Sequence, residues 1–94
     1  MIVTSQVSVE PNSTTLLFDV NPSRRRAYIK VPTGNSMYIG GSATVDDTDG
    51  YHIDAGEEFV IEPSTASDCS ARYAMYAYHE NGTAQVVCVM EVIE

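Results

Sequence analysis

The chain has 94 residues, and its 13 acidic and 5 basic residues give a formal net charge of −8. This length predicts one domain with a modest core, over residues 1–94, and the negative charge argues against binding to nucleic acid or to an anionic membrane. The first residues lack the charged and apolar regions of a signal peptide and no run is long enough to span a membrane, so we expect a soluble protein made in a cytoplasm.

Alternation of apolar and polar residues predicts a series of short strands. Over residues 2–10, a strand or an N-terminal arm, the valines share one side and the polar residues share the other. Further strands are expected at 15–20, 27–31, 36–40, 51–53 and 57–62, with a brief one at 43–45 and a long loop at 63–70. No window has helical spacing, and turn residues recur about every eight to twelve residues. This predicts an all-β fold, a single antiparallel β-sandwich of jelly-roll or immunoglobulin-like type with roughly eight strands.

The last two apolar runs, between residues 72 and 93, flank Asn81 and Gly82 and predict a β-hairpin. A type I′ turn needs positive φ at both central residues, and Asn-Gly tolerates this best. The resulting register places Ala77 opposite Val86 on a core face. The opposite face is too apolar for solvent and is expected to form an inter-sheet space or an oligomer interface. That face carries Tyr76, Tyr78, Val87 and Val89.

Two cysteines, Cys69 and Cys88, are too few for a disulfide framework and are expected to be reduced thiols. Residues 46–50 have the composition of a calcium loop, but the final ligand position falls on Gly56 where a glutamate is needed, which favours a solvated acidic turn. His52 and His79 lie in no nucleophile or metal-ligand signature. We therefore expect no enzyme activity and no metal or other cofactor.

Arg24, Arg25 and Arg26 are three of the five basic residues and form the one concentration of positive charge. They could dock on an acidic partner, because arginine pairs with carboxylates in a bidentate way, or they could pair with the protein's own carboxylates. The six tyrosines, in a chain without tryptophan, could stack on sugars, pack a subunit interface or cover the second side of the sandwich.

Four short motifs stand at the ends of the predicted elements: Pro-Ser-Arg-Arg-Arg at 22–26, Tyr-Ile-Gly at 38–40, Ala-Gly-Glu at 55–57 and Gly-Thr-Ala-Gln-Val-Val-Cys-Val at 82–89. Through these motifs, residues 22–93 resemble a family of small β-sandwich proteins from the virions of tailed bacteriophages. The acidic run at 46–49 and the two cysteines depart from the commoner pattern of that family.

The resemblance implies a capsid decoration, or cement, protein, made in the host cytoplasm and located on the capsid surface of the virion. Its implied partners are the major capsid protein and two further copies of itself in a homotrimer. We expect the N-terminal strand and the arginines to contact the capsid, since a terminal strand is free to add to a partner's sheet. The residues expected there are Ile2, Val3, Val7, Arg24, Arg25 and Arg26. A glycan-binding or adsorption module, or a tail or head-to-tail accessory protein, is the alternative.

Overall fold

The computed structural model describes residues 1–62 and 73–94. These residues contain eight strands: β1 (Ile2–Val9), β2 (Thr15–Phe18), β3 (Arg24–Lys30), β4 (Met37–Gly40), β5 (Tyr51–Ile53), β6 (Glu58–Ile61), β7 (Met75–Tyr78) and β8 (Gln85–Ile93). The strands form two four-stranded antiparallel sheets, which we call sheet I (β1-β8-β3-β6) and sheet II (β2-β7-β4-β5). The all-β sandwich predicted from the sequence is confirmed. No helix long and apolar enough to cross a membrane occurs in the described residues.

The strand order follows from one long hairpin. β1 pairs with β8, β2 with β7, β3 with β6 and β4 with β5, all antiparallel. The tip of this hairpin is the connection 41–50 between β4 and β5, and successive pairs are rolled alternately into the two sheets. This is a jelly roll, the double-sheet arrangement that the sequence left open beside the immunoglobulin-like one.

The core lies between the sheets and is built by side chains that alternate along each strand. Sheet I contributes Val9, Ala27, Ile29, Ile61, Val87 and Val89, and sheet II contributes Leu17, Phe18, Met37, Ile39, Ile53 and Ala77. The predicted strands at 2–10, 27–31, 36–40, 51–53 and 57–62 all occur with small changes of boundary. Residues 43–45 form no strand, and the loop expected at 63–70 lies outside the described residues.

The predicted hairpin between β7 and β8 is wrong. Both strands exist, but β7 lies in sheet II between β2 and β4, and β8 lies in sheet I between β1 and β3. Asn81 and Gly82 do not have the positive φ of a type I′ turn. The connection 79–84 instead crosses from one sheet to the other, and β8 forms its long ladder, of eight residue pairs, with β1.

His79 fixes this crossover. Its side chain is 1% exposed. The backbone N–H of Asn81 donates to Nδ1 at 3.2 Å, so the other ring nitrogen, Nε2, carries the proton and donates to the carbonyl oxygen of Val9 at 2.7 Å. The backbone N–H of Asn12 donates to the carbonyl oxygen of His79 at 2.8 Å. Both ring nitrogens are therefore used by neutral histidine, and the crossover is tied to the end of β1.

Candidate interaction surface

Arg24 is not a surface residue. The register of β3 against β8 shifts between Arg24 and Arg26, and this irregularity turns the Arg24 side chain inward, where the residue is 3% exposed. Its Nε donates to Glu91 Oε1 at 2.7 Å, and its guanidinium lies 4.2 Å from the centre of the Phe18 ring. A further guanidinium nitrogen donates to the carbonyl oxygen of Asp19 at 2.6 Å. Arg24 therefore joins the two sheets internally, and its assignment to the capsid-binding patch is wrong.

Arg25 and Arg26 are exposed, and each meets a carboxylate of the same chain. Arg25 pairs with Glu94, and the Nε of Arg26 lies 3.6 Å from Glu62 Oε2. Such exposed pairs each contribute little stability, so a partner's carboxylates could replace them at small cost. The structure thus divides the arginine cluster into one structural residue and two residues at the surface.

The predicted oligomer face formed by Tyr76, Tyr78, Val87 and Val89 does not exist as one surface. Val87 and Val89 are 0% and 2% exposed in the core of sheet I. Tyr76 and Tyr78 are half-buried on the opposite sheet. The error has a physical cause: both sides of β8 are apolar, so alternation could not show which side faces inward. The homotrimer stays a prediction, without the surface on which it was based.

The outward side of sheet II is partly covered by the connection 41–50. Val45 is 2% exposed although it lies in a loop, and its side chain occupies the space above Gly40, where a Cβ would lie only 2.8 Å from Val45 Cγ2. At the other end of the loop, a Cβ on Gly50 would lie 2.6 Å from the Cβ of Tyr38. The loop can approach this closely only because these two positions are glycine.

The acidic part of this loop is organised by its own carboxylates. Asp46 Oδ1 accepts from the hydroxyl of Thr48 at 2.5 Å and from its backbone N–H at 2.9 Å, and Asp49 Oδ1 accepts from the backbone N–H of Asp46 at 2.9 Å. The hydroxyl bond from Thr48, followed by its backbone bond, lowers the pKa of Asp46 below its ordinary value. These carboxylates therefore stabilise a turn, as the sequence suggested for this segment.

The tyrosines of sheet II lie beside this loop. Tyr38 and Tyr78 are directly opposite each other on β4 and β7, and the rings of Tyr38 and His52 are 5.1 Å apart. Partial burial, the hydrogen bond to Glu80 and the charges of nearby acidic residues raise the pKa of Tyr78 above its ordinary value. The half-buried rings of Tyr38 and Tyr78 therefore line the side of the sandwich that the loop partly covers, whereas Tyr51 and Tyr73 are 63% and 62% exposed.

The outward side of sheet I has a different character. Directly opposite residues form two rows across all four strands, as the pairings of β8 with β1 and β3, and of β3 with β6, establish. One row is mainly apolar and consists of Thr4, Met90, Tyr28 and Val60; the other is mainly polar and consists of Gln6, Cys88, Lys30 and Glu58. Charged pairs lie at the margins, which include Arg26 with Glu62 at 3.6 Å. An apolar centre with a polar rim is typical of a protein contact surface.

An open hollow of about 580 Å³ lies on this side of sheet I. Met90, Tyr28 and the exposed thiol residue Cys88 are among the residues that line it. The Nζ of Lys30, at its border, donates to the carbonyl oxygen of Gly56 at 2.6 Å. The hollow presents a thioether, an aromatic ring and a thiol to solvent, which suits packing against an apolar side chain of a partner.

Among the described residues, no strand pairs with the outer edge of β1. Met1 and Ile93 exchange two backbone hydrogen bonds, of 2.7 and 2.8 Å. Bonded and non-bonded pairs alternate along an antiparallel ladder, so the even-numbered residues of β1 point their backbone N–H and C=O groups away from β8. These residues are Ile2, Thr4, Gln6 and Ser8.

Of the residues predicted to contact a partner, Ile2 is 65% exposed on the outward side of sheet I, with Arg25 and Arg26 near its margin. Val3 and Val7 belong to the inward side of β1 and are half-buried.

The sequence analysis missed Tyr28, Cys88 and Met90. A usable signal was present, because residues 86–90 of β8 are apolar at both odd and even positions, which is more than a strand with one solvated side requires.

Comparison of the chain with protein-family models, with curated proteins and with solved structures found no match. Function is therefore inferred from the residues and from the geometry of this surface.

Proposed function

We propose that this protein is a capsid decoration protein: a structural component of a virion that binds the outer shell and stabilises it by bridging capsid subunits. The observation that carries the proposal is the outward side of sheet I, with its apolar row, its hollow and its polar margin. The resemblance of residues 22–93 to virion proteins of tailed bacteriophages supplies the identity of the partner.

The physical requirements of this role agree with the surface. A protein bound in many copies must attach through its own surface without unfolding, and an apolar centre that excludes water provides the attachment energy. The exposed Arg25 and Arg26 can exchange their internal carboxylate partners for those of a shell subunit. A ligand that binds only the assembled shell shifts the assembly equilibrium toward the shell, which is how attachment stabilises the particle.

A matched pair of variants tests which side attaches. Val60 is 40% exposed on the outward side of sheet I, and Leu16 is 41% exposed on that of sheet II. We expect Val60→Asp to weaken co-sedimentation with particles that lack the protein by tenfold or more, on the order of the 1.4 kcal/mol that corresponds to a factor of ten. Leu16→Asp should attach like the unmodified protein. Equal loss in both variants, or loss only in Leu16→Asp, would refute attachment through sheet I.

The role itself is tested on the particle. Hundreds of copies on the outer shell in a cryo-EM map are expected for a decoration protein, and a few copies at the tail would assign it to the accessory class. Particles that lack the protein should lose their DNA at a lower temperature than intact particles. If both kinds of particle resist heat equally, the protein does not cement the shell.

Arg25→Gln with Arg26→Gln should reduce the salt dependence of attachment without unfolding the protein, since both side chains are exposed.

A further inference from the structure

The edge of β1 lacks the features that usually keep a strand from pairing with another chain. Such features are charge, proline, a bulge or short length. β1 is eight residues long, pairs with β8 without a register shift and contains neither charge nor proline. This is unusual in a chain of net charge −8.

The other three edge strands are protected. β5 has three residues and β2 has four, with an irregularity between Leu16 and Phe18. β6 has four residues and begins with Glu58, next to Glu57 and before Glu62. Within residues 1–62 and 73–94, an incoming strand therefore meets short, interrupted or charged edges at every edge strand except β1.

We propose that the edge of β1 binds the same edge of a second copy of the chain, antiparallel, around a twofold axis through Ser5. The backbone N–H and C=O groups that point away from β8 belong to the even-numbered residues of β1. These residues must therefore form the hydrogen-bonded pairs between the two copies. The longest such register places Ile2 opposite Ser8 and Thr4 opposite Gln6, which gives about eight hydrogen bonds between the copies.

The side chains fit this register. On the inward side it places Val3 opposite Val7 of the other copy, on both sides of the axis, and Ser5 opposite itself. Val3 and Val7 are half-buried and Ser5 is exposed in the single molecule, so sheet II leaves this part of β1 uncovered. The second copy covers the two valines, and on the outward side Thr4 lies opposite Gln6 and the exposed Ile2 lies opposite Ser8. No like charges meet at the axis, which is the arrangement that a self-complementary contact requires.

This twofold axis is perpendicular to the sheet. The two copies of sheet I then form one continuous eight-stranded sheet with both outward sides facing the same way. The contact leaves the row of Met90, Tyr28 and Val60 free, so dimer formation goes beyond the proposed capsid attachment and does not depend on it.

Cysteine cross-linking tests the axis in the isolated protein, in a background with Cys69→Ser and Cys88→Ser. Non-bonded antiparallel pairs have Cα atoms about 4.5 Å apart, within the range of a disulfide. Ser5→Cys should therefore form disulfide-linked dimers on mild oxidation. Ser8→Cys should form them at least about tenfold more slowly, because Ser8 lies far from its own copy in this register. Mixing Ser8→Cys with Ile2→Cys should restore cross-linking. Equal rates for Ser5→Cys and Ser8→Cys would indicate random collision and would overturn the proposal.

Sedimentation velocity provides a second measurement. Gln6→Pro removes an N–H that points to the free edge and spares the bonds to β8, so it should raise the dimer dissociation constant by tenfold or more, whereas Gln6→Thr should not. The unmodified dimer should tighten as salt rises, because two chains of charge −8 repel. A monomer at high micromolar concentration in high salt would refute the contact. Failure here leaves attachment through Val60 standing, and unchanged attachment of Val60→Asp leaves the dimer standing.

Discussion

The outward side of sheet II is partly covered by the protein's own chain, whereas the outward side of sheet I is not. In sheet II, Val45 packs above Gly40 and Gly50 lies against Tyr38, so the connection 41–50 covers this part of the sheet. In sheet I, Val60 and Val86 remain 40% and 48% exposed beside an open hollow. A small domain thus covers one side with its own chain and leaves the other open, and the difference arises from the position of one loop and two glycines.

The largest difference in stability should come from making the same substitution, valine to alanine, once on each side of the sandwich. Val45→Ala removes two buried methyl groups and should lower the free energy of unfolding by about 2 to 3 kcal/mol. Val86→Ala, on the outward side of sheet I, should change it by less than about 0.5 kcal/mol. Urea unfolding followed by circular dichroism measures both values. Equal losses would mean that the loop does not cover sheet II in solution.

A smaller effect separates two glycines. Gly50→Ala places a methyl group 2.6 Å from the Cβ of Tyr38, so the loop must move, at a cost of about 1 to 2 kcal/mol. Gly82→Ala meets no atom within 4 Å and has no positive φ, so stability should stay the same or rise by a few tenths of a kcal/mol, roughly. Thermal unfolding of the two variants sharpens the comparison. A lower melting temperature for Gly82→Ala than for Gly50→Ala would contradict it.

The smallest effect concerns the charge on the covered side. Glu80→Gln replaces the carboxylate that accepts from the Tyr78 hydroxyl with an uncharged amide, so the Tyr78 pKa should fall toward its ordinary value of about 10. Because folding raises this pKa, the neutral phenol contributes stability below the unfolded pKa of about 10, and the contribution is lost as pH rises through the folded value. NMR titration of isotope-labelled tyrosine measures the shift. Glu58→Gln, on sheet I, is the control and should leave the Tyr78 titration unchanged.

Sequence reasoning was most successful where one side of a strand is polar. Alternation identified the inward residues of β1, β3, β4 and β6, including Val9, Ile29, Met37 and Ile61. It failed on β8, whose two sides are both apolar, and therefore assigned Val87 and Val89 to a surface. The fold class follows from patterns within a few residues, but strand pairing does not, because β8 finds β1 at the other end of the chain.

The candidate surface was only partly predictable for the same reason. Ile2, Arg25 and Arg26 were identified because a terminal strand and a charge cluster are visible in the sequence. The inward turn of Arg24 depends on a local irregularity between Arg24 and Arg26, and its partner Glu91 is distant in sequence. The outward side of sheet I could be identified as uncovered only after the strands were assigned to the two sheets.

The pairing of β1 with β8 also determines the order of events during synthesis. The tip at 41–50 can close early, since β4 and β5 are neighbours in the chain, but β1 must wait until β8 has left the ribosome. A fold dominated by such distant pairings forms slowly. During this delay both edges of the uncharged strand β1 are open, so chaperones and neighbouring nascent chains on the same message can bind there.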